Sequence, residues 1–268
     1  VNDIPVANAT SAITNEDQSV VISLTGSDID GDALTFSLAS DATNGNVVIE
    51  GSLATYTPNL DFNGSDSFIF SVSDGELSAT AEGTLTVSAI NDAPILAAVS
   101  DVSFDEDGSS SVNLSGSDVD GDALTFSITS GTDITATLID TDVTFNAPTD
   151  FNGSEVFTIS VTDSEYTDTQ NITVTVLAVN DAPVADATSA TTNEDQSVVI
   201  TLSASDVDGD VLTYSIDTDA SSGSVTLEGS LATYTPNLDF NGSDSFVFSV
   251  SDGELSSTAN VSLTITAV

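Results

Sequence analysis

The stretch Val20-Val21-Ile22-Ser23-Leu24-Thr25-Gly26-Ser27-Asp28-Ile29-Asp30-Gly31-Asp32-Ala33-Leu34-Thr35-Phe36-Ser37-Leu38 sets both the fold and the chemistry of this chain. On either side of its acidic centre, apolar residues alternate with small polar ones: Val20, Ile22 and Leu24, then Leu34, Phe36 and Leu38. Period two belongs to half-buried strands, and the Asp and Gly residues between them favour a turn. Working outward, the same alternation returns at Val47 and Ile49, at Phe68, Phe70 and Val72, and at Leu85 and Val87. An opening strand near Pro5 to Ile13 and a short one over Leu53 to Thr57 bring the expected number to seven, with no helical pattern anywhere.

The pattern then begins again. Asn2-Asp3, Asn91-Asp92 and Asn180-Asp181 mark a repeat of about 89 residues. Repeats one and three share GSLATYTPN, at Gly51 to Asn59 and Gly229 to Asn237. Repeat two diverges over Thr135 to Pro148, and there Ser164 replaces the Gly of the Ser-Asp-Gly-Glu loop. Seven short strands with Asp, Gly and Asn turns fit an immunoglobulin-like sandwich better than a closed barrel. The expected fold is all-β: three tandem seven-stranded immunoglobulin-like β-sandwich domains in a linear array, spanning 1–90, 91–179 and 180–268. Positions 1, 90, 179 and 268 share one phase, which fits three periods of a longer array or a subunit joined head to tail.

Composition narrows the function. Among 268 residues there are 43 Asp and Glu and no Lys, Arg or His, a formal charge of -43. Self-repulsion of that size opposes a compact state unless cations bind. Nucleic acid and anionic membranes are excluded as partners, because both need basic residues to meet phosphate, and no apolar run is long enough for membrane insertion. Domains this small usually need a staple. Without Cys there is no disulfide, and without Lys no Lys-Asn cross-link. Metal is the staple left.

Strand parity places the acidic loops. If the chain enters each domain at one end, Glu16-Asp17 and Asp61 fall at the far end, while Asp28 to Asp32 and Asp74 fall at the near end. The junction between repeats one and two is then expected to gather Glu16, Asp17, Asp61, Asn91, Asp92, Asp118, Asp120, Asp122 and Asp163. The next would gather Glu106, Asp107, Asp150, Asn180, Asp181, Asp206, Asp208, Asp210 and Asp252. A partial upper site remains at Asn2, Asp3, Asp28, Asp30, Asp32 and Asp74, and a partial lower one at Glu194, Asp195 and Asp239. All are hard oxygen ligands, which suit Ca2+ over Mg2+ by number and flexibility; with no His, Cys or Met there is no soft ligand for zinc or copper. The same Asp-x-Asp-Gly-Asp string is also a good metal-free turn. It is not an EF-hand, because Ala39 stands where a bidentate Glu belongs. Asn-Gly at Asn63, Asn152 and Asn241 reads as a turn, and Asp66, Glu155 and Asp244 as outer groups or solvated surface.

A Glu after the first strand, an Asp-led loop before the sixth, an Asn-Asp-x-Pro linker and an Asp-x-Asp loop in the next domain together resemble cadherin repeats. The string resembles still more closely the cadherin-like tandem repeats, of the VCBS type, in very large bacterial surface proteins and adhesins. Two features depart from the cadherin pattern: Asp61-Phe62-Asn63 stands where cadherins have an Asp-x-Glu triplet, and the linker is shorter. The resemblance implies several calcium ions per chain, stiffening the junctions of an extracellular array that serves as the stalk of an adhesin or the shaft of a surface filament. It implies as partners neighbouring repeats or identical subunits head to tail, with any cell-surface or matrix ligand met by domains outside this segment. Strands rising about 3.3 Å per residue would make three domains a rod of roughly 100 Å or more. An enzyme is not expected, since acidic pairs recur in every repeat instead of lining one cleft. A carbohydrate-binding or ice-binding module is the alternative, supported only by Thr-rich strands.

Overall fold

The computed structural model describes residues 1–268 and contains strands and turns but no helix, so no helix is long and apolar enough to cross a membrane. Repeat one comprises β1 (Val6–Asn8), β2 (Thr10–Asn15), β3 (Val20–Ser23), β4 (Thr25–Ser27), β5 (Thr35–Ser40), β6 (Gly45–Glu50), β7 (Leu53–Pro58), β8 (Gly64–Ser73) and β9 (Ser78–Ser88). These make a four-stranded sheet in the order β2-β9-β8-β5, a three-stranded sheet β3-β7-β6 and a two-stranded pair β1-β4.

Two of the seven expected strands are broken. The opening strand divides at Ala9: β1 pairs antiparallel with β4, while β2 runs parallel to β9, Thr10 opposite Gly83 through Asn15 opposite Ser88. The second strand divides at Leu24, whose amide donates to the Ser52 carbonyl at 2.8 Å. The physical cause is the change of sheet. One strand serves both layers, so its ladder must be interrupted where it crosses. Gly26 permits the crossing, because a Cβ there would lie 2.9 Å from the Val6 carbonyl oxygen and 3.0 Å from Val72 Cγ1.

The later repeats follow the same scheme. Repeat two comprises β10 (Ile95–Leu96), β11 (Val102–Asp105), β12 (Ser109–Asn113), β13 (Gly116–Ser117), β14 (Thr125–Ile128), β15 (Thr135–Ile139), β16 (Asp142–Asn146), β17 (Gly153–Thr162) and β18 (Thr167–Leu177). Repeat three comprises β19 (Val184–Ala185), β20 (Thr188–Asn193), β21 (Val198–Thr201), β22 (Ala204–Ser205), β23 (Thr213–Thr218), β24 (Gly223–Glu228), β25 (Leu231–Pro236), β26 (Gly242–Ser251) and β27 (Ser256–Thr266). Each has the same four-, three- and two-stranded sheets.

The inward positions are those of the alternating pattern. Ile22, Leu24, Val47, Tyr56, Phe68, Phe70, Val72, Leu85 and Val87 form one buried core, against which Leu34, Phe36, Leu38 and Ile49 pack partly covered. Ile200, Leu202, Tyr234, Phe246, Phe248, Val250, Val261, Leu263 and Ile265 repeat it. Fully burying a side chain of this size contributes about 1.5–3 kcal/mol, so these rows fix strand register. The three sandwiches fall into two compact units. The first unit holds Val1–Ala98 with Leu114–Ser127 and Ile159–Gln170; the second holds Val99–Asn113, Ile128–Thr158 and Asn171–Val268. The division passes through repeat two, whose acidic loops at Asp118 to Asp122 and Asp163 belong with repeat one.

Candidate metal centres

Within the first unit, Glu16 follows β2 at a turn where its amide donates to the Ser88 carbonyl at 3.0 Å. Its side chain is only 4 % exposed. Oε1 accepts a hydrogen bond from the Ile90 amide, and Oε2 is shielded from solvent with no partner. The linker residue Asp92 donates its amide to Asp120 Oδ2 at 2.8 Å, which aims its own carboxylate into the cluster, where Oδ2 is also shielded and unpartnered. Asp118 uses Oδ1 to accept the amides of Asp120 and Asp122, at 2.9 and 3.3 Å. Its Oδ2 is the third shielded oxygen without a partner. Carboxylate oxygens of Glu16, Asp92 and Asp120 lie within 4.8 Å of one another, as do those of Asp118, Asp120 and Asp122. Asp61 joins from below through its amide, 3.2 Å from Asp17 Oδ1.

Within the second unit the same construction appears. Glu106 is 7 % exposed and accepts the Val179 amide at 2.5 Å; the Asp181 amide donates to Asp208 Oδ2 at 2.8 Å. Asp206 Oδ1 accepts the amides of Asp208, Gly209 and Asp210 at 3.0, 3.1 and 3.3 Å, while Oδ2 of Asp206 and of Asp181 are shielded and unpartnered. Glu106, Asp181 and Asp208 form one close group and Asp107, Asp150 and Asp181 another, each within 4.8 Å.

Asp17, Asp61, Asp107, Asp150, Asp195 and Asp239 all adopt φ between 55° and 60°, the left-handed region that Asp tolerates better than most L-residues; Asp140, at the hairpin turn between β15 and β16 and outside these clusters, does the same.

Electrostatics agree with the geometry. Asp92 is pushed above the usual carboxylate range by burial and then by Asp61, Asp120, Glu16 and Asp17. Asp181 is raised by burial and by the corresponding Asp150, Asp208, Asp107 and Glu106. A shielded acceptor without a donor is unfavourable, and grouping such acceptors as like charges is more so. Oxygen-only ligands, from a chain with no His, Cys or Met, fit a hard divalent cation.

Three of the expected ligands also fasten the chain. Asp163 Oδ1 accepts the amides of Glu165 and Tyr166, both at 2.7 Å, and Oδ2 accepts Asn91 Nδ2 at 2.7 Å. Burial pushes its carboxyl up, but these bonds outweigh it and hold the group low. Asp252 binds Asn180 in the same way at 3.0 Å, and Asp74 binds Asn2 at 3.0 Å. These three aspartates therefore fasten the linker asparagines, with both their oxygens engaged by protein donors.

The partial upper site is built like the internal ones: Asp28 Oδ1 accepts the amides of Asp30, Gly31 and Asp32, Asp28 Oδ2 is shielded and unpartnered, and the Asp3 amide donates to Asp30 Oδ2 at 2.8 Å. At the partial lower site Glu194 Oε1 accepts the Val268 amide at 2.8 Å, Oε2 accepts Asn241 Nδ2 at 3.2 Å, and the Asp239 amide donates to Asp195 at 3.0 Å.

Asp66, Glu155 and Asp244 are neither outer ligands nor solvated. Asp244 accepts the amides of Ser221, Ser222 and Ser245 and the hydroxyls of Ser221 and Tyr234. Asp66 accepts the amides of Thr43, Asn44 and Ser67 and the Tyr56 hydroxyl. Glu155 accepts the amides of Thr132 and Asp133. Each clasps the loop between the third and fourth strands of its sandwich. The signal lay in comparing repeats: Tyr with Asp in repeats one and three becomes Phe145 with the longer Glu155 in repeat two.

Three tandem immunoglobulin-like sandwiches with an acidic cluster at each linker define the class. The bacterial Ig domain family matches residues 2–88, 91–175 and 180–264, and the chain belongs to that family. In fold it is similar to extracellular cadherin domains 1–5 of protocadherin gamma B2, with TM-score 0.62 and 18 % identity over 98 % of this chain and 60 % of that one. It is similar also to protocadherin gamma B7 domains EC3–6, with TM-score 0.56 and 16 % identity over 96 % and 72 %. Mouse protocadherin-24 EC1–3 gives 0.52 and 17 % over 97 % and 98 %. At these identities the likeness concerns the fold alone. No curated protein matches the chain in sequence.

Proposed function

We propose that this chain is a structural segment of an extracellular bacterial array, a stalk of a surface adhesin or the shaft of a surface filament, stiffened by Ca2+ at its two linker clusters. The observation that carries the reading is the set of shielded, unpartnered oxygens on Glu16, Asp92 and Asp118, repeated on Asp181 and Asp206. Bound calcium would supply positive charge and six to eight oxygen-binding positions to such a set. The chain's own residues do the rest. Glu16 and Asp17 present oxygens from one repeat and Asp118 to Asp122 from the next. Asp92 is aimed between them by its amide bond to Asp120, and the asparagine at each linker is fixed by Asp163 or Asp252. Loops of two repeats so clamped lose the freedom of the linker that joins them.

A surface location follows from the same requirement, since calcium is abundant outside cells and scarce within. Neighbouring repeats, or identical subunits head to tail, are the proposed partners. The test is unfolding in chelator, in millimolar calcium and in millimolar magnesium. The native state should gain about 2.7 kcal/mol per site at a hundredfold excess of calcium over its Kd. Asp92→Asn combined with Asp181→Asn should lose most of that gain. A midpoint indifferent to calcium would overturn the reading.

A further inference from the structure

Seven Asn-x-Ser/Thr triplets occur in the chain, with asparagines at 8, 63, 113, 152, 171, 241 and 260. The structure separates them. Four lie within strands or at strand ends: Asn8 closes β1, Asn113 closes β12, Asn171 lies in β18 and Asn260 in β27, and the amide nitrogens of Asn8, Asn113 and Asn260 donate to neighbouring side chains. The other three are Asn63, Asn152 and Asn241, each inside the string Asp-Phe-Asn-Gly-Ser. Here the Phe turns inward, Phe62 and Phe240 packing against their cores, and the Asn, exposed like the other four, stands outside the strands in the turn that leads into the next one. The following glycine has φ of 125°, 153° or 132°, swinging the chain sharply into the next strand. Asn63 and Asn152 make no side-chain hydrogen bond, and Asn241 makes only the 3.2 Å bond to Glu194. Three residues before two of these asparagines stand Leu60 and Leu238, 80 % and 81 % exposed.

We propose that Asn63, Asn152 and Asn241 are acceptor sites for N-linked glycans, one per repeat. The Asn-x-Ser/Thr triplet on an exposed loop is what such a transfer requires. The donor class is an oligosaccharide joined to a polyprenyl diphosphate. Nδ2 forms a bond to the anomeric carbon, the bond from that carbon to the phosphate oxygen breaks, the diphosphate leaves with the electron pair, and Nδ2 gives up one proton. A hydrated glycan at this turn would also cover the exposed leucines.

The chain is taken from its native surface, digested and mapped by mass spectrometry. Glycan is expected on peptides carrying Asn63, Asn152 and Asn241, and none on those carrying Asn8, Asn113, Asn171 and Asn260. Ser65→Ala, produced in the same cell, should remove the mass at Asn63 alone, leaving the other two as internal controls. Bare peptides at all three positions would mean that they are turns only and would overturn the proposal, as would equal modification of all seven. The readout does not depend on calcium, so its failure leaves the metal sites untouched, and theirs leaves it untouched.

Discussion

Asp92 and Asp181 are the residues at which the metal-bound and metal-free chains should respond oppositely to one mutation. Both carboxyls are pushed up by burial and by neighbouring acids. A group whose folded pKa exceeds its unfolded value favours the native state at low pH and loses that contribution as pH rises through the folded value. For the calcium-free chain these two aspartates therefore weaken the fold above the ordinary carboxylate range. Asp92→Asn should raise the melting midpoint in chelator by a few degrees and lower it in millimolar calcium. A fall in both conditions would mean that Asp92 has an ordinary structural role. Asp61→Gly makes a second test, since glycine keeps the left-handed backbone at φ 55° while removing the carboxylate. It should leave the calcium-free midpoint little changed in denaturant titration and blunt the response to calcium. Protons compete for the same oxygens, so calcium affinity measured by calorimetry should fall as pH drops through the carboxylate range.

At the scale of elements, the clasps should matter with or without metal. Removing Asp244 leaves the amides of Ser221 and Ser222 without their acceptor, which costs on the order of 3 kcal/mol. Asp244→Ala should lower urea midpoints equally in chelator and in calcium, unlike any ligand substitution. For Asp66 and Asp244, burial pushes the carboxyl up, but hydrogen bonds from neighbouring amides and hydroxyls outweigh it and hold both low. Their contribution is therefore present above the unfolded carboxylate pKa and is lost as pH falls through the folded value. The strands themselves were legible because alternation is local: Phe68, Phe70 and Val72 announce an inward face in five residues. The breaks at Ala9 and Leu24 were not, because they depend on which strands pair across the fold: β2 with β9, more than seventy residues away, β1 with β4, and β3 with β7. The clasps were hidden for a related reason. An Asp in a loop looks alike whether it faces water, metal or a backbone amide, and only the substitution of Tyr with Asp by Phe145 with Glu155 set these positions apart.

At the scale of the molecule, parity of seven strands was enough to say which loops gather near each linker, since each strand reverses direction and the acidic loops alternate ends. Which oxygen of each carboxylate is engaged was beyond that reasoning. Asp163 and Asp252 reach the right place and there also accept hydrogen bonds from Asn91, Asn180 and turn amides. The two compact units each contain one complete cluster, so calcium should act on each unit separately, and Asp92→Asn should leave the response of the second cluster intact in a titration that resolves two classes of site. The proposed stiffening of the linkers by calcium is tested by small-angle X-ray scattering of the chain, titrated with calcium from chelator excess to millimolar. A broad ensemble in chelator should narrow to one stiff species as calcium saturates, a change that magnesium does not reproduce and the Asp92→Asn, Asp181→Asn double variant does not show. Scattering profiles that superimpose throughout the titration would contradict it, leaving the acidic clusters as turns and solvated surface.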